Sequence, residues 1–216
     1  MTKKYELVLD DTISFWGWKL FRIRALISFG SIEVGDLGGY IEKEENLSHD
    51  GNAWVYGDAE VWGDAKVSGN AKVSGNAKVS GNAKVSGNAE VWGDAKVSGN
   101  AEVWGNAKVS GNAKVWGDAK VSGNAEVWGD AKVSGNAEVS GNAEVWELGD
   151  IIVFKNHWSS GRHFTYTKSN KMWKVGCFYG TGQELIKKAY RDSEKSGNYY
   201  KAYVDFVETL ERLSEE

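Results

Sequence analysis

From residue 51 to residue 146 the chain repeats every six positions. The unit is Gly-[Asn/Asp]-Ala-x-Val-x, and sixteen copies follow one another without an insertion or deletion. Ala and Val stand two apart, so in an extended segment both face one side. The Lys or Glu between them faces the other side, as does the Ser, Trp or Tyr after Val. Gly followed by Asn or Asp supplies positions that accept positive φ, which a sharp corner needs. Each hexad therefore predicts one short strand and one corner, with a thin Ala/Val interior. Such units bury their apolar face only by stacking on their neighbours.

The unit resembles the hexapeptide repeat of left-handed parallel β-helices. That family places an aliphatic residue and then a small residue four positions later, as Val67 and Ala71 stand here. The resemblance implies a left-handed coil of three sides and eighteen residues. Sixteen hexads then make roughly five coils, and strand spacing makes the prism roughly 25 Å long. The eighteen-residue register has a test within the sequence. One corner column reads Asn52, Asn70, Asn88, Asn106, Asn124, Asn142. The second reads Asp58, Asn76, Asp94, Asn112, Asp130, and the third Asp64, Asn82, Asn100, Asp118, Asn136. No Asp stacks on an Asp, which avoids like charges at strand spacing, while stacked Asn amides can form ladders.

The flanks break the pattern and divide the chain into residues 1–50, 51–146 and 147–216. In the first segment, Phe21, Ile23, Ala25, Ile27 and Phe29 alternate with other residues, predicting a half-buried strand. An earlier strand at Tyr5-Leu9 and a turn near Gly17 complete a small β cap. Ile41 and Leu47 continue the alanine phase backward, so an irregular first coil is expected from about Tyr40, with His49 at a valine phase inside it. In the last segment, Ile151 to Phe154 reads as a strand. His163 to Thr167 and Met172 to Phe178 read as a hairpin. Thr181-Gly182-Gln183-Glu184 is a capping box opening a helix with Leu185, Ile186, Ala189 and Tyr190 on one face. Ser196-Gly197-Asn198 is expected to end it. A second helix follows, with Tyr199, Tyr203, Phe206, Val207, Leu210 and Leu213 on its apolar stripe. The fold class expected is an all-β solenoid, a left-handed parallel β-helix with an N-terminal β cap and a small C-terminal α+β domain.

The net charge of −4 over 216 residues argues against nucleic acid as a partner. One cysteine, Cys177, excludes an intramolecular disulfide, and no Cys/His cluster suits a metal. The N-terminus lacks an apolar core for a signal peptide, and the apolar stretch 13–29 carries Lys19, Arg22 and Arg24, so no membrane span is expected. The cytoplasm is the expected location.

The layout also resembles a set of phage- and prophage-encoded hexapeptide-repeat proteins. The residues that carry this are Gly35-Asp36-Leu37-Gly38-Gly39-Tyr40-Ile41-Glu42 with Glu45-Asn46-Leu47-Ser48, the repeat itself, and Trp173-Lys174-Val175-Gly176-Cys177-Phe178-Tyr179-Gly180-Thr181. Proteins of this kind are often described as acyltransferase-like by fold alone, which is a weak argument for activity. The resemblance implies a phage protein, and interference with a host process is one role it suggests.

Three functional readings follow: a non-enzymatic binding scaffold, a hexapeptide acyltransferase working at a subunit interface, and a structural virion or assembly component. Acyl transfer needs a histidine base and commonly a loop over the coenzyme site. The repeats hold neither, since His49, His157 and His163 all flank them. No catalytic residue, metal ligand or cofactor is therefore assigned. Cys177 and His163 are expected on facing strands, where a nucleophile pair is conceivable, but a buried structural cysteine is the favoured reading. The binding candidates are two outward columns. Tyr56, Trp92, Trp128 and Trp146, with serines between, form an aromatic side suited to a protein partner or to self-association as a dimer or trimer. Lys78, Lys96, Lys114 and Lys132 form a basic stripe suited to an anionic partner. The ordinary alternatives are rings that cover backbone and neighbouring side-chain stems, and lysines paired with Asp94, Asp118 and Asp130 at the corners.

Overall fold

The computed structural model describes residues 2–15 and 17–214, leaving aside the side chain of Leu148. The chain forms two compact units, Met1–Asp150 and Ile151–Glu216.

The first unit is a parallel β-solenoid of about six turns, an architecture that fits a left-handed β-helix. An antiparallel hairpin, β1 (Tyr5–Phe15) and β2 (Trp18–Ala25), leads into β3 (Leu37–Ile41). Two-residue strands follow, β4 (Trp54–Val55) through β19 (Glu144–Val145), one per hexad. Each strand pairs in parallel with the strand eighteen residues on: Glu90 with Lys108, Val91 with Val109. The three sides are face I (β4, β7, β10, β13, β16, β19), face II (β5, β8, β11, β14, β17) and face III (β6, β9, β12, β15, β18). Every repeat Ala and Val is fully buried, or within one per cent of it.

The coils are joined by backbone bonds that point one way. Lys66 N–H donates to Ala83 O at 2.9 Å, Ser68 N–H to Val85 O at 3.0 Å, and Asn70 N–H to Gly87 O at 2.7 Å. The pattern repeats coil after coil, with the earlier coil donating. Glycine is required at the corner for two reasons. Gly87 has φ +69°, and a Cβ there would sit 2.9 Å from Gly105 N in the next coil. The corner side chains follow the same direction. Asn88 Nδ2 donates to Asn106 Oδ1 at 3.0 Å, and Asn112 Nδ2 to Asp130 Oδ1 at 3.0 Å. Asp accepts from the Asn before it and has no proton to pass on, so isolated Asp residues fit the ladder and stacked ones do not.

The N-terminal segment closes the open edge. Before the first coil the lead-in chain supplies only some of the backbone donors, and side chains supply others. Lys4 Nζ donates to Ala53 O at 2.9 Å and Gly51 O at 3.3 Å. Asn46 Nδ2 donates to Ala65 O at 2.9 Å and Gly63 O at 3.0 Å. Tyr40 N–H reaches Ala59 O at 2.8 Å, and Arg22 reaches Gly57 O at 3.4 Å. Lys4 and Asn46 are buried, and Lys4 also lies over the Phe29 ring. The close approach of β3 needs Gly39, where a Cβ would meet Ala59 O at 2.5 Å.

Here the structure corrects two expectations. Ile41 and Leu47 lie at the valine positions, pairing with Val61 and Val67 twenty residues on, whereas Val55 pairs with Val73 at eighteen. Two extra residues in the Ser48–Asn52 corner shift the phase. His49 therefore packs outside the coil, stacked on Tyr5 at 4.4 Å. The strand expected through Phe29 ends at Ala25, where Ala25 N–H donates to Asp36 O and Gly35 N–H to Ala25 O.

The second unit is an antiparallel sheet, β20 (Ile151–Lys155), β21 (His163–Thr167), β22 (Met172–Val175) and β23 (Phe178–Thr181), with helices α1 (Gly182–Asp192) and α2 (Glu194–Leu213). Gly176, at φ +56°, turns the chain after β22, so the segment expected as one strand is two. The capping box is present: Glu184 N–H donates to Thr181 Oγ1 and Thr181 N–H to Glu184 Oε2. The helix break falls at Ser193, which caps α2 by accepting from Ser196 N–H. Gly197 lies inside α2, where a Cβ would meet the Tyr190 ring at 2.2 Å. The buried face of α2 is Gly197, Tyr200, Val204 and Val207, with Tyr199, Phe206 and Leu213 of the expected stripe outside it. The unit's core is Phe164, Tyr166, Trp173, Leu185 and Ala189 with those α2 residues. No helix among the described residues is long and apolar enough to cross a membrane.

Two outcomes follow from the edge and the corner ladder. Asn112→Asp removes the bond to Asp130 and stacks three carboxylates. It should cost about 1–2 kcal/mol at neutral pH, more than Asn106→Asp in the all-Asn column. Its deficit should shrink as pH falls toward the carboxylate range, as read by denaturant melts. Lys4→Met leaves Gly51 O and Ala53 O without donors and should cost about 1–3 kcal/mol. Burial pushes the Lys4 ammonium down to about 8 from 10.5, against the opposing pull of Asp50. Between those values the unfolded chain holds a proton the folded chain has released, so Lys4's contribution to stability grows as pH rises. The stability gap between wild type and Lys4→Met should widen from pH 7 to pH 10; a constant gap would contradict the buried ammonium.

Candidate binding faces of the solenoid

Outward residues on each face form two columns, because strand side chains alternate. On face I the columns are Trp54, Lys72, Glu90, Lys108, Glu126, Glu144 and, two residues on, Tyr56, Ser74, Trp92, Ser110, Trp128, Trp146. The N-terminal segment covers the first coil. Trp54 is buried edge-on against Tyr5 at 6.1 Å and Phe29 at 5.4 Å. Beyond it the charged column neutralises itself in pairs, Lys72 with Glu90 at 3.3 Å and Lys108 with Glu126 at 2.8 Å.

The aromatic column changes character along the axis. Tyr56 and Trp92 are half-buried. Trp128 is 36% exposed and Trp146 53%, and their rings meet edge to face at 4.4 Å. Ser110, between the Trp92 and Trp128 rungs, is only 8% exposed. Ser110 is thus shielded on a rung flanked by two large rings, as the covering role requires, yet the later pair keeps much of its surface in solvent.

Face II carries Glu60, Lys78, Lys96, Lys114, Lys132 beside Trp62, Ser80, Ser98, Trp116, Ser134. The four lysines are in register, Lys78 to Lys96 to Lys114 to Lys132. They are not equivalent. Lys78 is tied to Glu60 at 2.9 Å and lies 5.6 Å from the centre of the Phe15 ring, which also packs edge-on against Trp62. Among the described residues, Lys96, Lys114 and Lys132 have no carboxylate oxygen within 4.0 Å. The corner aspartates expected to pair with them are engaged otherwise: Asp94 accepts from Asn76, Asp118 from Asn100 and Asp130 from Asn112. Trp116, 37% exposed, follows Lys114 by two residues and belongs to this face. Its place in the repeat is the same as that of the half-buried Trp62 and Trp92, so the sequence alone gives no sign of which rings stay open.

A groove of about 500 Å³ lies beside the lead-in coil, lined by Glu44, Glu45, Ser48, His49, Lys66 and Ser68. It holds the histidine closest to the coils. His49 Nδ1 accepts from Lys4 N–H at 3.2 Å, and its buried Nε2 faces Glu44 Oε2 at 3.7 Å. Tyr5, on which it stacks, shares its one hydroxyl proton between Glu44 O and Leu47 O, each at 2.8 Å, and burial beside Glu44 and Glu45 pushes that phenol's pKa well up. Nδ1 is committed to Lys4 N–H, and Nε2 is buried without a hydrogen-bond partner, so neither nitrogen is open to the groove as a base.

The proposed Cys177–His163 pair does not form. His163 is opposite Lys155 on β20, and Cys177 is exposed in the turn after β22, so it is not the buried strand cysteine expected. His157 stands edge-on to Trp158 and Tyr199 in the second unit. Among the described residues no group of three or more His, Cys, Asp or Glu is placed to hold a metal ion.

No protein-family model matches this chain, and no curated protein matches it.

Proposed function

We propose that the protein is a binding scaffold whose rigid solenoid presents face I to a protein partner. The observation that supports this most directly is the Trp128–Trp146 pair, two large rings left substantially in solvent on the last two coils of face I. Exposed tryptophans on a preorganised surface lose little entropy on binding and bury large area, as interface anchors do. The paired charges beside them leave face I near neutral, which suits a protein surface better than a polyanion. The resemblance to phage-encoded hexapeptide proteins makes a host protein in the cytoplasm the partner to seek.

A second reading has its own observation. Lys96, Lys114 and Lys132 repeat at about 4.8 Å, and face II can take an anionic group there, with Trp116 and the Ser98 and Ser134 hydroxyls alongside. Acyl transfer is disfavoured because His49 Nδ1 is bonded to Lys4 N–H and its Nε2 is buried, so neither nitrogen opens to the groove.

The test compares partners captured by wild type, Trp128→Ser/Trp146→Ser and Lys96→Ser/Lys114→Ser. A partner lost only with the tryptophan variant is the expected result. Loss only with the lysine variant, together with release by moderate salt, would transfer the role to face II. Partner sets identical across all three would remove both faces from consideration.

A further inference from the structure

Helix α2 carries two apolar seams, and its own unit uses one. Gly197, Tyr200, Val204 and Val207 point into the core. The second seam is Tyr199, Tyr203, Phe206, Leu210 and Leu213, spaced four, three, four, three, which is the spacing of a helix-pairing stripe. Its first part is partly covered: Tyr199 stacks on Trp158 at 4.7 Å, and Tyr203 meets Phe154 at 4.9 Å. Its later part is more open, with Phe206 51% and Leu213 63% exposed and Leu210 half-buried between them. Between the two lies an apolar hollow of about 310 Å³ lined by Phe154, Ala202, Tyr203 and Phe206.

We propose that this seam is a homodimer contact, in which α2 of a second copy lies antiparallel across it, centred on Phe206. Three observations select this occupant. The stripe is self-complementary about Phe206: an antiparallel partner sets Phe206 against its own copy and Tyr199 against its Leu213, as an isologous two-fold contact requires. The same alignment lays the partner's Leu210 over Ala202, the small residue at the floor of the hollow. The charges also match. Residues 194–204 carry Glu194, Lys195 and Lys201, net +1, and residues 205–213 carry Asp205, Glu208, Glu211 and Arg212, net −2. Antiparallel pairing brings each basic half beside an acidic half and opposes the two helix dipoles. The flanking positions Ala202 and Thr209 are small, which lets the helices approach. A 20-residue helix is about 30 Å long, so the contact is smaller than a standard interface of about 1,600 Å². The dimer is accordingly one that dissociates on dilution.

This inference is independent of the reading of the solenoid faces. Its effect would be to give the protein two copies of whatever face binds, raising avidity for a multivalent target.

Sedimentation equilibrium of the full chain from about 1 to 100 μM tests it. Wild type should pass from the 23.7 kDa mass of one chain toward twice that value. Phe206→Glu and, separately, Leu213→Glu should remain single chains at every concentration, with unchanged circular dichroism and melting. Trp128→Ser/Trp146→Ser should dimerise as wild type does. A wild type that stays a single chain at the highest concentration overturns the proposal, and so does loss of the dimer only in the tryptophan variant. Orientation is read by oxidation in a Cys177→Ser background. Phe206→Cys should cross-link to itself efficiently and Leu213→Cys poorly; the reverse order overturns the antiparallel arrangement.

Discussion

The structure depends on a ladder of backbone hydrogen bonds that runs in one direction from coil to coil. Ala and Val alone make a thin interior, and a two-residue strand pairs with too little to stand by itself. Each coil becomes stable because its N–H groups meet the carbonyls of the next coil at close to 2.9 Å and its Val lies on the Val above and below. Everything else serves that register. Positive φ at the corner glycines lets the chain turn without moving the strands apart, and the Asn ladder repeats the donor-to-acceptor direction in side chains. A structure built this way has an edge problem at its first coil. Lys4, Asn46 and Arg22 answer it with side-chain donors placed where the amides of a preceding coil would have been.

The same constraint explains why function has to be sought outside. An interior filled by Ala and Val has no room for a ligand and no polar group to orient one. The corners are engaged in their own ladder. What the repeat leaves free are the two outward columns of each face, and these are where the sequence departs from monotony. The N-terminal segment further restricts the open area. Tyr5, Phe15 and Phe29 pack against Trp54 and Trp62, so the open parts of faces I and II begin beyond the first coil. The cap thus both closes the ladder and selects which aromatic and basic residues remain available.

Period-six regularity made the strand-corner unit legible through side-chain alternation; the eighteen-residue coil comes from the resemblance to hexapeptide β-helices, and the isolation of aspartates in that register agrees with it through like-charge repulsion. The places that could not be read share a cause: local pattern was intact while register or context changed. Ile41 and Leu47 keep perfect six-residue spacing, yet the two extra residues before Ala53 move them from the alanine to the valine position. Gly197 looks like a helix break, but the Tyr190 ring requires glycine there within a continuous helix. On α2 two apolar stripes are interleaved, and periodicity picks out one, Tyr199 to Leu213, which shares only Val207 with the buried set Gly197, Tyr200, Val204 and Val207. The candidate columns were visible, but Lys78 differs from Lys96, Lys114 and Lys132 only because Glu60 and Phe15 reach it in three dimensions.

The central claim is that the inter-coil backbone ladder holds the solenoid as one cooperative body. Amide hydrogen exchange on the intact protein tests it most directly. The N–H groups of Lys96, Ser98, Lys108, Ser110, Asn112 and Lys114 each donate to a carbonyl of the following coil. They should exchange together and only through global unfolding, with a common free energy that falls in step with added denaturant. Exchange of these amides within minutes, or protection that varies independently from one coil to the next, would contradict the account.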